Sequence, residues 1–581
     1  MKKIIVIILT AFTLVGCTLE EKVISYSTPE TYYQTVPQCI TGLNGCYLPL
    51  RSIYSNGDYF ETCEVATDLI YHNSSSYYDA QCNYTQSIPR FGNTIWTQCY
   101  LGVMRCNAMY AAIERAPLTD SEKAPMLAEC VILRAFYYYI LTINFGDVPY
   151  YFEEVTDANN DRIAQLPRKP AKELRTLLMD ELEYWLIERQ ALPYVKTYAA
   201  ENENQYRIGS MVGFVIAGKL AMWNKRFDRA IQFYSYIEDV YGSVDVEGNY
   251  SPRDALMSYS IKDIMFRNRY TDESIFELPG YSKDYGLRVT QQLASRCTPS
   301  RKTVDPSTGE ELDEENVDLS QKDDFYDGIR IPELGINART TSPYRPTCYF
   351  YKTLMPYNAK DKRRSRYDTA KAASSGEIAE IEDGGGYLAW CYKGWVDKTL
   401  DINDPANPAG IHFFSNTKNA SGHPFLGDKF WCPGMIYNQD SNNLKIFRFA
   451  NIVLDLAEAN MRCGNWDLAF EYLNATKQRA GFDVLSGGHS DEAEFMKDLQ
   501  QESARELFGE FTRRHNLVRW GIWYDQVVNY SKYPSGTAEK ETVLVGYVRE
   551  APCREYYPIP DQQIVLSNYN LDNKEYDKWG L

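Results

Sequence analysis

The chain has 581 residues and a formal net charge of −17, with 61 basic and 78 acidic residues interspersed along it. This acidic balance argues against nucleic acid or an anionic membrane surface as a partner, because both would repel the protein. By length alone the chain could form two or three domains around a large core.

The first segment has the features of an export signal. Lys2 and Lys3 precede an apolar run that ends in Leu-Val-Gly at Cys17. A basic head with a short apolar segment is typical of a secretion signal rather than a membrane span. The ending has the form of a bacterial lipobox, which predicts a signal peptide over residues 1–16 and a lipid on the Cys17 thiol. The alternative is an ordinary signal peptide with an incidental cysteine. No later segment is apolar for long enough to span a bilayer, so the lipid would be the anchor.

Cysteine usage predicts buried thiols. The chain has 14 cysteines, and the 13 left after lipidation cannot all pair. Cys39 and Cys46, like Cys99 and Cys106, are seven residues apart, which places each pair on one helix face. The alternative for some of these cysteines is one or two disulfide bonds, which can form outside the cell. No cysteine or histidine spacing is typical of a metal site, so we expect no metal and no cofactor.

The sequence pattern of the first part of the chain predicts helices joined by loops. Residues 31–47 have a weak helical pattern, interrupted by a proline and two glycines, and residues 51–90 have the composition of a loop. Helical periodicity continues over 96–111, 121–145 and 170–190. Ser121 is a plausible N-cap of the second of these helices, and Gly146 a plausible stop.

A helical hairpin over residues 211–240 recurs in the C-terminal half. Phe227, Ala230 and Phe233 correspond to Trp466, Ala469 and Tyr472. Small residues on the first helix permit close packing against the second, which is typical of tetratricopeptide-like units that must stack to bury a face. The sequence therefore predicts a mainly α fold: a discontinuous tetratricopeptide-like helical superhelix with a loop-rich C-terminal subdomain.

Residues 281–440 are rich in Gly, Pro, Asn, Asp and aromatic residues, and irregular segments of this kind often carry binding residues. The chain has 47 tyrosines and 10 tryptophans, whose rings can stack on sugars, although each can equally fill a half-buried helix position. Residues 401–407 loosely resemble a calcium loop, with a plain Asx/Pro turn as the alternative. The predicted ligand-binding residues are Asp68, Tyr71, Tyr77, Tyr78, Tyr285, Trp390, Trp395 and Trp431.

An acidic row follows near the C-terminus. Glu502, Glu506 and Glu510 have the spacing of one helix face, with Arg505, Arg513 and Arg519 near them in sequence. A glycosidase would need two carboxylates facing each other across a sugar, which one helix ridge does not supply. Ion pairs that tie the helix to its neighbours are therefore the favoured interpretation.

Several motifs together resemble the SusD/RagB family of outer-membrane nutrient-binding lipoproteins. Residues 129–149 are similar to the family's E-x-x-x-L-R-A-x-Y-Y helix with its F-G-D-V-P ending. Residues 447–459, 478–481 and 502–521 are similar to its Y-R-x-A-E…A-E-A, R-x-R-A-G and E-R-x-x-E-L…R-W-G motifs. Residues 557–560 match the closing Y-P-I-P. The sequence departs from the family pattern at Asn451, Ser503, Phe511 and Asn516.

The resemblance implies a surface lipoprotein of the outer membrane that binds an oligosaccharide and delivers it to a SusC-like TonB-dependent transporter, without catalysis. It also implies an N-terminal helical region over 17–280 and a C-terminal region over 281–581. The alternative is a tetratricopeptide-type surface scaffold whose ligand is a peptide or protein.

Overall fold

The structure is a computed structural model, and the fold in the parts it describes is mainly helical, as the sequence predicts. The described residues are 29–73, 79, 81–192, 207–244, 250–280, 292–297, 302–303, 326–327, 341, 343–355, 361–363, 428–432, 435, 438–482, 491–535 and 538–581.

The helical region near the N-terminus extends beyond residue 47, where the predicted helix ends. Its helices are α1 (Pro29–Tyr32), α2 (Val36–Tyr54) and α3 (Asp58–Phe60), followed by a π-helical turn over Glu61–Val65. The backbone N–H of Thr35 donates to Gln38 Oε1 at 3.0 Å, which caps the start of α2. Pro37 lies in the first turn, where a helix does not need its N–H. The predicted loop over 51–90 is therefore wrong at its beginning.

A long helical hairpin forms the middle of the core. It consists of α4 (Phe91–Arg115) and α5 (Asp120–Phe145). The helices approach so closely that a Cβ on Gly102 would lie 2.3 Å from the Tyr137 ring. The cap of α5 is Thr119, whose N–H donates to Glu122 at 2.9 Å, so the predicted cap at Ser121 is wrong. The predicted stop at Gly146 is confirmed, with φ +72°.

Helix α5 is long and apolar enough to pass a length and hydropathy test for a membrane span, yet that stretch is wholly buried inside the protein. Its side chains from Met126 to Phe145 are all buried. They make it the central core helix.

The predicted buried thiols are confirmed. Cys39 and Cys46 on α2, and Cys99 and Cys106 on α4, are fully buried. None of the cysteines in the described residues forms a disulfide.

Two helical hairpins, distant in sequence, pack together as the tetratricopeptide-like pattern predicts. After α6 (Asn160–Ala164) and α7 (Ala171–Glu183), the first hairpin is α8 (Ser210–Trp223) with α9 (Phe227–Tyr241). Next come α10 (Pro252–Ser258) and α11 (Leu293–Cys297), and then the second hairpin, α12 (Phe449–Arg462) with α13 (Trp466–Arg479). The Tyr234 hydroxyl donates to Asp455 at 2.7 Å, and Lys219 Nζ lies 2.6 Å from the same carboxylate. These buried contacts join the two hairpins into one superhelix.

In the described residues of the C-terminal part there are six further α-helices: α14 (Glu492–Glu506), α15 (Arg513–Arg519), α16 (Trp523–Tyr530), α17 (Val543–Glu550), α18 (Asp561–Leu566) and α19 (Lys574–Asp577). The strands of the described residues form antiparallel pairs: β1 (Ile70–His72) with β7 (Tyr344–Pro346), β2 (Ser243–Val244) with β3 (Tyr250–Ser251), β4 (Ser274–Leu278) with β8 (Leu444–Arg448), β5 (Lys302–Thr303) with β6 (Tyr326–Asp327), and β9 (Lys532–Ser535) with β10 (Ala538–Glu541).

The β1–β7 pair is the one that positions the candidate site. Its register places Tyr71 opposite Arg345. The pair therefore holds the early Tyr-rich segment against the loop-rich middle of the chain.

Candidate functional site: a tyrosine rim above a buried ion pair

The acidic row is buried. Glu502 and Glu506 lie on α14 as predicted, but the helix ends at Glu506. Glu510 lies in the turn after the helix, between Gly509 and Phe511, which have φ of +74° and +61°, so its predicted placement on the same helix is wrong. The three carboxylates are nevertheless close in space, because each is at most 2% exposed and shares cations with another member of the row.

These carboxylates belong to an ion network, which confirms the predicted structural pairing. The closest contacts are Arg363 to Glu502 at 2.9 Å and to Glu506 at 2.6 Å, Arg448 to Glu506 and Glu510 at 2.8 Å each, Arg479 to Glu506 at 2.5 Å, and Lys429 to Glu510 at 2.8 Å. Burial alone would raise the pKa of Glu506, but the three guanidinium groups hold that pKa well below its ordinary value. A carboxylate held in this way stays ionised, and removing one of its cations would leave a buried charge without its partner.

The predicted arginine partners pair with different carboxylates. Arg505 pairs with Glu502 at 3.0 Å, as expected. Arg519 pairs instead with Glu458 on α12 at 2.7 Å. Arg363 and Lys429 come from the loop-rich segment, and the sequence pattern offered no sign of their part in the network.

Asp68, a predicted ligand residue, is fully buried. Its carboxylate accepts hydrogen bonds from Nε and Nη2 of Arg513 at 2.9 and 2.6 Å. Its carbonyl accepts from Thr347 Oγ1 at 2.5 Å, just after β7. Asp68 therefore joins the segment after β7 to α15 and is not on an exposed surface that a ligand could contact.

Tyr71, the next predicted residue, takes part in a partly exposed aromatic group. Its ring lies 5.5 Å from the Tyr533 ring, and the Tyr349 ring lies 4.4 Å from the Tyr530 ring, both pairs tilted by 33°. Both pairs join the same two segments, the β1–β7 region and the end of α16 with β9. We name these four residues the tyrosine rim.

The rim becomes more exposed from Tyr71 outward. Tyr71 is 6% exposed, Tyr349 and Tyr533 are half-buried, and Tyr530 is 39% exposed. Burial raises the pKa of Tyr71 to about 12, against the opposing charge of Arg345, and likewise raises the pKa of Tyr349 to about 12. Both hydroxyls therefore stay protonated at neutral pH. The rim offers ring faces for stacking together with hydroxyls that can donate and accept hydrogen bonds.

The remaining predicted residues are either buried or outside the described parts of the chain. Trp431 is buried, and its carbonyl accepts from Asn442 Nδ2 at 3.0 Å. Outside the described residues lie Cys17, Tyr77, Tyr78, Tyr285, Trp390, Trp395 and the loop over 401–407. Within the described parts of the chain, no group of His, Cys, Asp or Glu is arranged to hold a metal ion.

Three members of the rim were not predicted from the sequence. Tyr349 lies in Cys-Tyr-Phe-Tyr, and Tyr530 and Tyr533 bracket Ser-Lys. The sequence signal that could have indicated them is a tyrosine at the end of a predicted helix or strand. That signal is weak here, because Tyr137, Tyr138 and many others lie fully in the core.

Comparison with known proteins decides the family. Residues 435–576 match the family model described as "SusD family", and residues 31–170 match the model "Starch-binding associating with outer membrane". This chain belongs to the SusD/RagB family. Among curated SusD-like relatives, SusD-like protein P2 of Formosa agariphila is 23% identical over 554 residues, which is 90% of this chain and 89% of that one.

Solved structures of the SusD fold agree. A SusD homolog from Bacteroides thetaiotaomicron superposes with a TM-score of 0.66 at 17% identity, over 93% of this chain and 97% of that one. Surface glycan-binding protein A from the same species, solved in complex with laminarihexaose, superposes with a TM-score of 0.58 at 18% identity, over 93% and 99%. The SusD fold of this chain is thus shared along nearly its whole length.

Proposed function

We propose that this SusD/RagB protein binds an oligosaccharide at the tyrosine rim and delivers it to a SusC-like TonB-dependent transporter. The observation that carries the proposal is the rim itself, two tilted ring pairs that lead from buried Tyr71 to exposed Tyr530. A sugar ring could stack its C–H face on the outer tyrosines while their hydroxyls bond to its hydroxyls. Support comes from the related glycan-binding protein solved with laminarihexaose.

The proposed site extends beyond the rim. Tyr77 and Tyr78 follow β1 closely in sequence, and Tyr285, Trp390 and Trp395 lie in the 281–440 segment that also contributes β7. We propose that these aromatic residues complete the ligand surface. In this division the region 17–280 is the helical scaffold, and the region 281–581 supplies most of the binding loops.

The proposed position is the outer membrane, with the protein anchored by a lipid on Cys17 and exposed at the cell surface. Support comes from the lipobox and from the family model's description as associating with the outer membrane. A single shallow site of this kind would bind with a Kd on the order of micromolar to millimolar, because it excludes little water.

We propose binding without catalysis. The acidic residues that could serve a glycosidase, Glu502, Glu506 and Glu510, are buried and paired with cations. A retaining or inverting mechanism needs two carboxyl groups that reach the sugar from opposite sides.

Calorimetry with a panel of host, plant and algal oligosaccharides, with product analysis alongside, tests the proposal. The protein would start after Cys17, so that it is soluble. We expect saturable binding without shorter products, and loss of binding in a variant carrying Tyr530→Ala and Tyr533→Ala. Tyr569→Ala is the matched control, because Tyr569 is 72% exposed on a turn outside the rim. No binding to any sugar by well-folded protein would overturn the proposal.

A further inference from the structure

Two of the rim tyrosines lie on strands, and each has a cation directly across from it. The register places Arg345 opposite Tyr71 in the β1–β7 pair and Lys540 opposite Tyr533 in the β9–β10 pair. Directly opposite residues of an antiparallel pair share one face, and their Cβ atoms are about 5 Å apart. Both cations therefore lie on the same face of their strand pair as the rim tyrosine.

The acidic residues of the β9–β10 hairpin lie on its other face. Successive residues of a strand point to opposite faces, so Glu539 and Glu541 lie on the face opposite to Lys540. Glu541 also has a partner there, because its carboxylate lies 2.7 Å from Arg549 on α17. The hairpin thus places a positive charge beside Tyr533 and both of its carboxylates away from it.

The two cations differ in how a ligand can use them. Arg345 is buried, and its charge opposes the rise that burial causes in the pKa of the Tyr71 hydroxyl. Lys540 is exposed and forms no ion pair with the residues that the structure describes. A lysine ammonium is a point charge on a flexible stem, so it accepts anions of different shape. Arg345 is therefore a fixed charge next to Tyr71, and Lys540 is the cation that a ligand can contact.

The charges that act on the other side of the rim balance one another. The hydroxyl of Tyr349 is influenced by Asp68, Arg513 and Arg505. Asp68 and Arg513 form an ion pair of 2.6 Å, and Arg505 pairs with Glu502 at 3.0 Å. Each pair is neutral in sum. The charge that a ligand meets at the rim is therefore set by the two cations opposite the strand tyrosines.

We propose that the tyrosine rim selects acidic oligosaccharides, and that Lys540 contacts the carboxylate or sulfate group of the ligand. A sugar ring stacked on Tyr530 and Tyr533 brings its anionic substituent within reach of the Lys540 ammonium. This inference rests on the proposed function, since it assumes that a glycan binds at the rim. The net charge of −17 repels anions, but charges farther away than about 8 Å are screened at physiological ionic strength, so the local cations decide the preference.

Calorimetry with pairs of ligands that differ only in charge tests the inference. One pair is an oligogalacturonate and its methyl ester, which removes each negative charge. The other is a carrageenan oligosaccharide with and without its sulfate groups, so the two pairs distinguish carboxylate from sulfate. We expect the acidic member of at least one pair to bind more tightly than the neutral member. This advantage should shrink as salt is added, because exposed charges are screened.

A matched pair of lysine variants locates the charge that is responsible. Lys540→Gln should weaken binding of the acidic ligand about two- to fivefold and leave the neutral ligand unchanged, as expected for one exposed ion pair. Lys532→Gln is the control, because it removes the same charge from the same hairpin on the face opposite to Lys540. Thermal unfolding of both variants should match the wild type, since neither lysine belongs to the core.

The outcomes separate this inference from the proposed function. A neutral sugar that binds at the rim, with no acidic probe binding more tightly than its neutral counterpart, would overturn the inference and leave the proposed function standing. Equal effects of Lys540→Gln and Lys532→Gln on the acidic ligand would overturn it as well. Absence of binding to every sugar would overturn both proposals. A salt-sensitive preference for the acidic ligand that Lys540→Gln alone reduces would establish the inference.

Discussion

Arg513 holds the carboxylate of Asp68 with two hydrogen bonds of 2.9 and 2.6 Å, across a separation of 445 residues. Both side chains are buried, and a third donor of Arg513 reaches the Gln500 carbonyl at 2.9 Å. The pair lies close enough to Tyr349 to influence the pKa of its hydroxyl. One ion pair therefore joins the segment before the early strand to the C-terminal helices, near Tyr349 of the tyrosine rim.

Asp68→Ala should destabilise the protein strongly. Removing the carboxylate leaves the buried Arg513 charge without its partner, which costs about 3–5 kcal/mol in comparable cases. Urea unfolding followed by circular dichroism would measure the loss. The double variant Asp68→Ala with Arg513→Met removes both charges and should recover part of the stability. A loss below about 1 kcal/mol in the single variant would show that this ion pair does not fasten the fold.

Tyr530→Ala should weaken sugar binding without changing stability. Tyr530 is the most exposed rim residue, and losing one aromatic contact costs about 1 kcal/mol, or roughly a fivefold rise in Kd. Calorimetry measures the affinity, and thermal unfolding measures the stability. Tyr530→Phe keeps the ring and should retain most of the affinity. An unchanged Kd for Tyr530→Ala would remove this residue from the site.

Glu506→Gln should make the protein less stable and less sensitive to acid. The folded-state pKa of Glu506 is depressed, so its contribution to stability is fully present above its ordinary pKa of 4.5 and is lost as pH falls through the lower folded value. The amide leaves three guanidinium groups facing a neutral side chain, which should cost several kcal/mol near neutral pH. Unfolding between pH 7 and pH 3 would show a shallower loss in the variant. Parallel curves for both proteins would contradict the ion network as described.

Gly102→Ala and Gly45→Ala should act in opposite directions. A Cβ at Gly102 would lie 2.3 Å from the Tyr137 ring, and forcing it in should cost about 1–3 kcal/mol. At Gly45, also within a helix, a Cβ meets no atom within 4 Å, so alanine should add about 0.5–1 kcal/mol. Thermal unfolding of the two variants checks the close approach of α4 and α5. Equal effects would contradict it.

Cys17→Ser should release the protein from the membrane. The proposed lipid needs the Cys17 thiol, and the protein has no other anchor in the proposal. Fractionation of cells into membrane and soluble material, with mass spectrometry of the mature N-terminus, would detect the change. Recovery of the variant in the membrane at the wild-type level would contradict lipid anchoring at this residue.

The helices were largely predictable because their signals are local. The aromatic-Asp-x-Ala step at Phe227 and Trp466 starts α9 and α13 at the expected residues. The errors also have local causes: Pro37 is harmless in a first turn, and Thr119 with Glu122 forms a better cap than Ser121.

The candidate site was less predictable because it depends on pairing between distant segments. Asp68 has the residue type of a sugar ligand, but its role follows from Arg513, far along the chain. Tyr71 was identified from its context, whereas Tyr530 and Tyr533 join it only once α15 and α16 pack against the strand pair. In the same way Glu510 reaches the ion network through a turn that no helical periodicity describes.

A crystal structure of the protein with the oligosaccharide that binds most tightly is the most direct test of the central claim. We predict sugar rings in contact with the Tyr530 and Tyr533 rings, with sugar hydroxyls bonded to the rim. A sugar bound elsewhere, with all four tyrosines of the rim uncovered, would contradict the account.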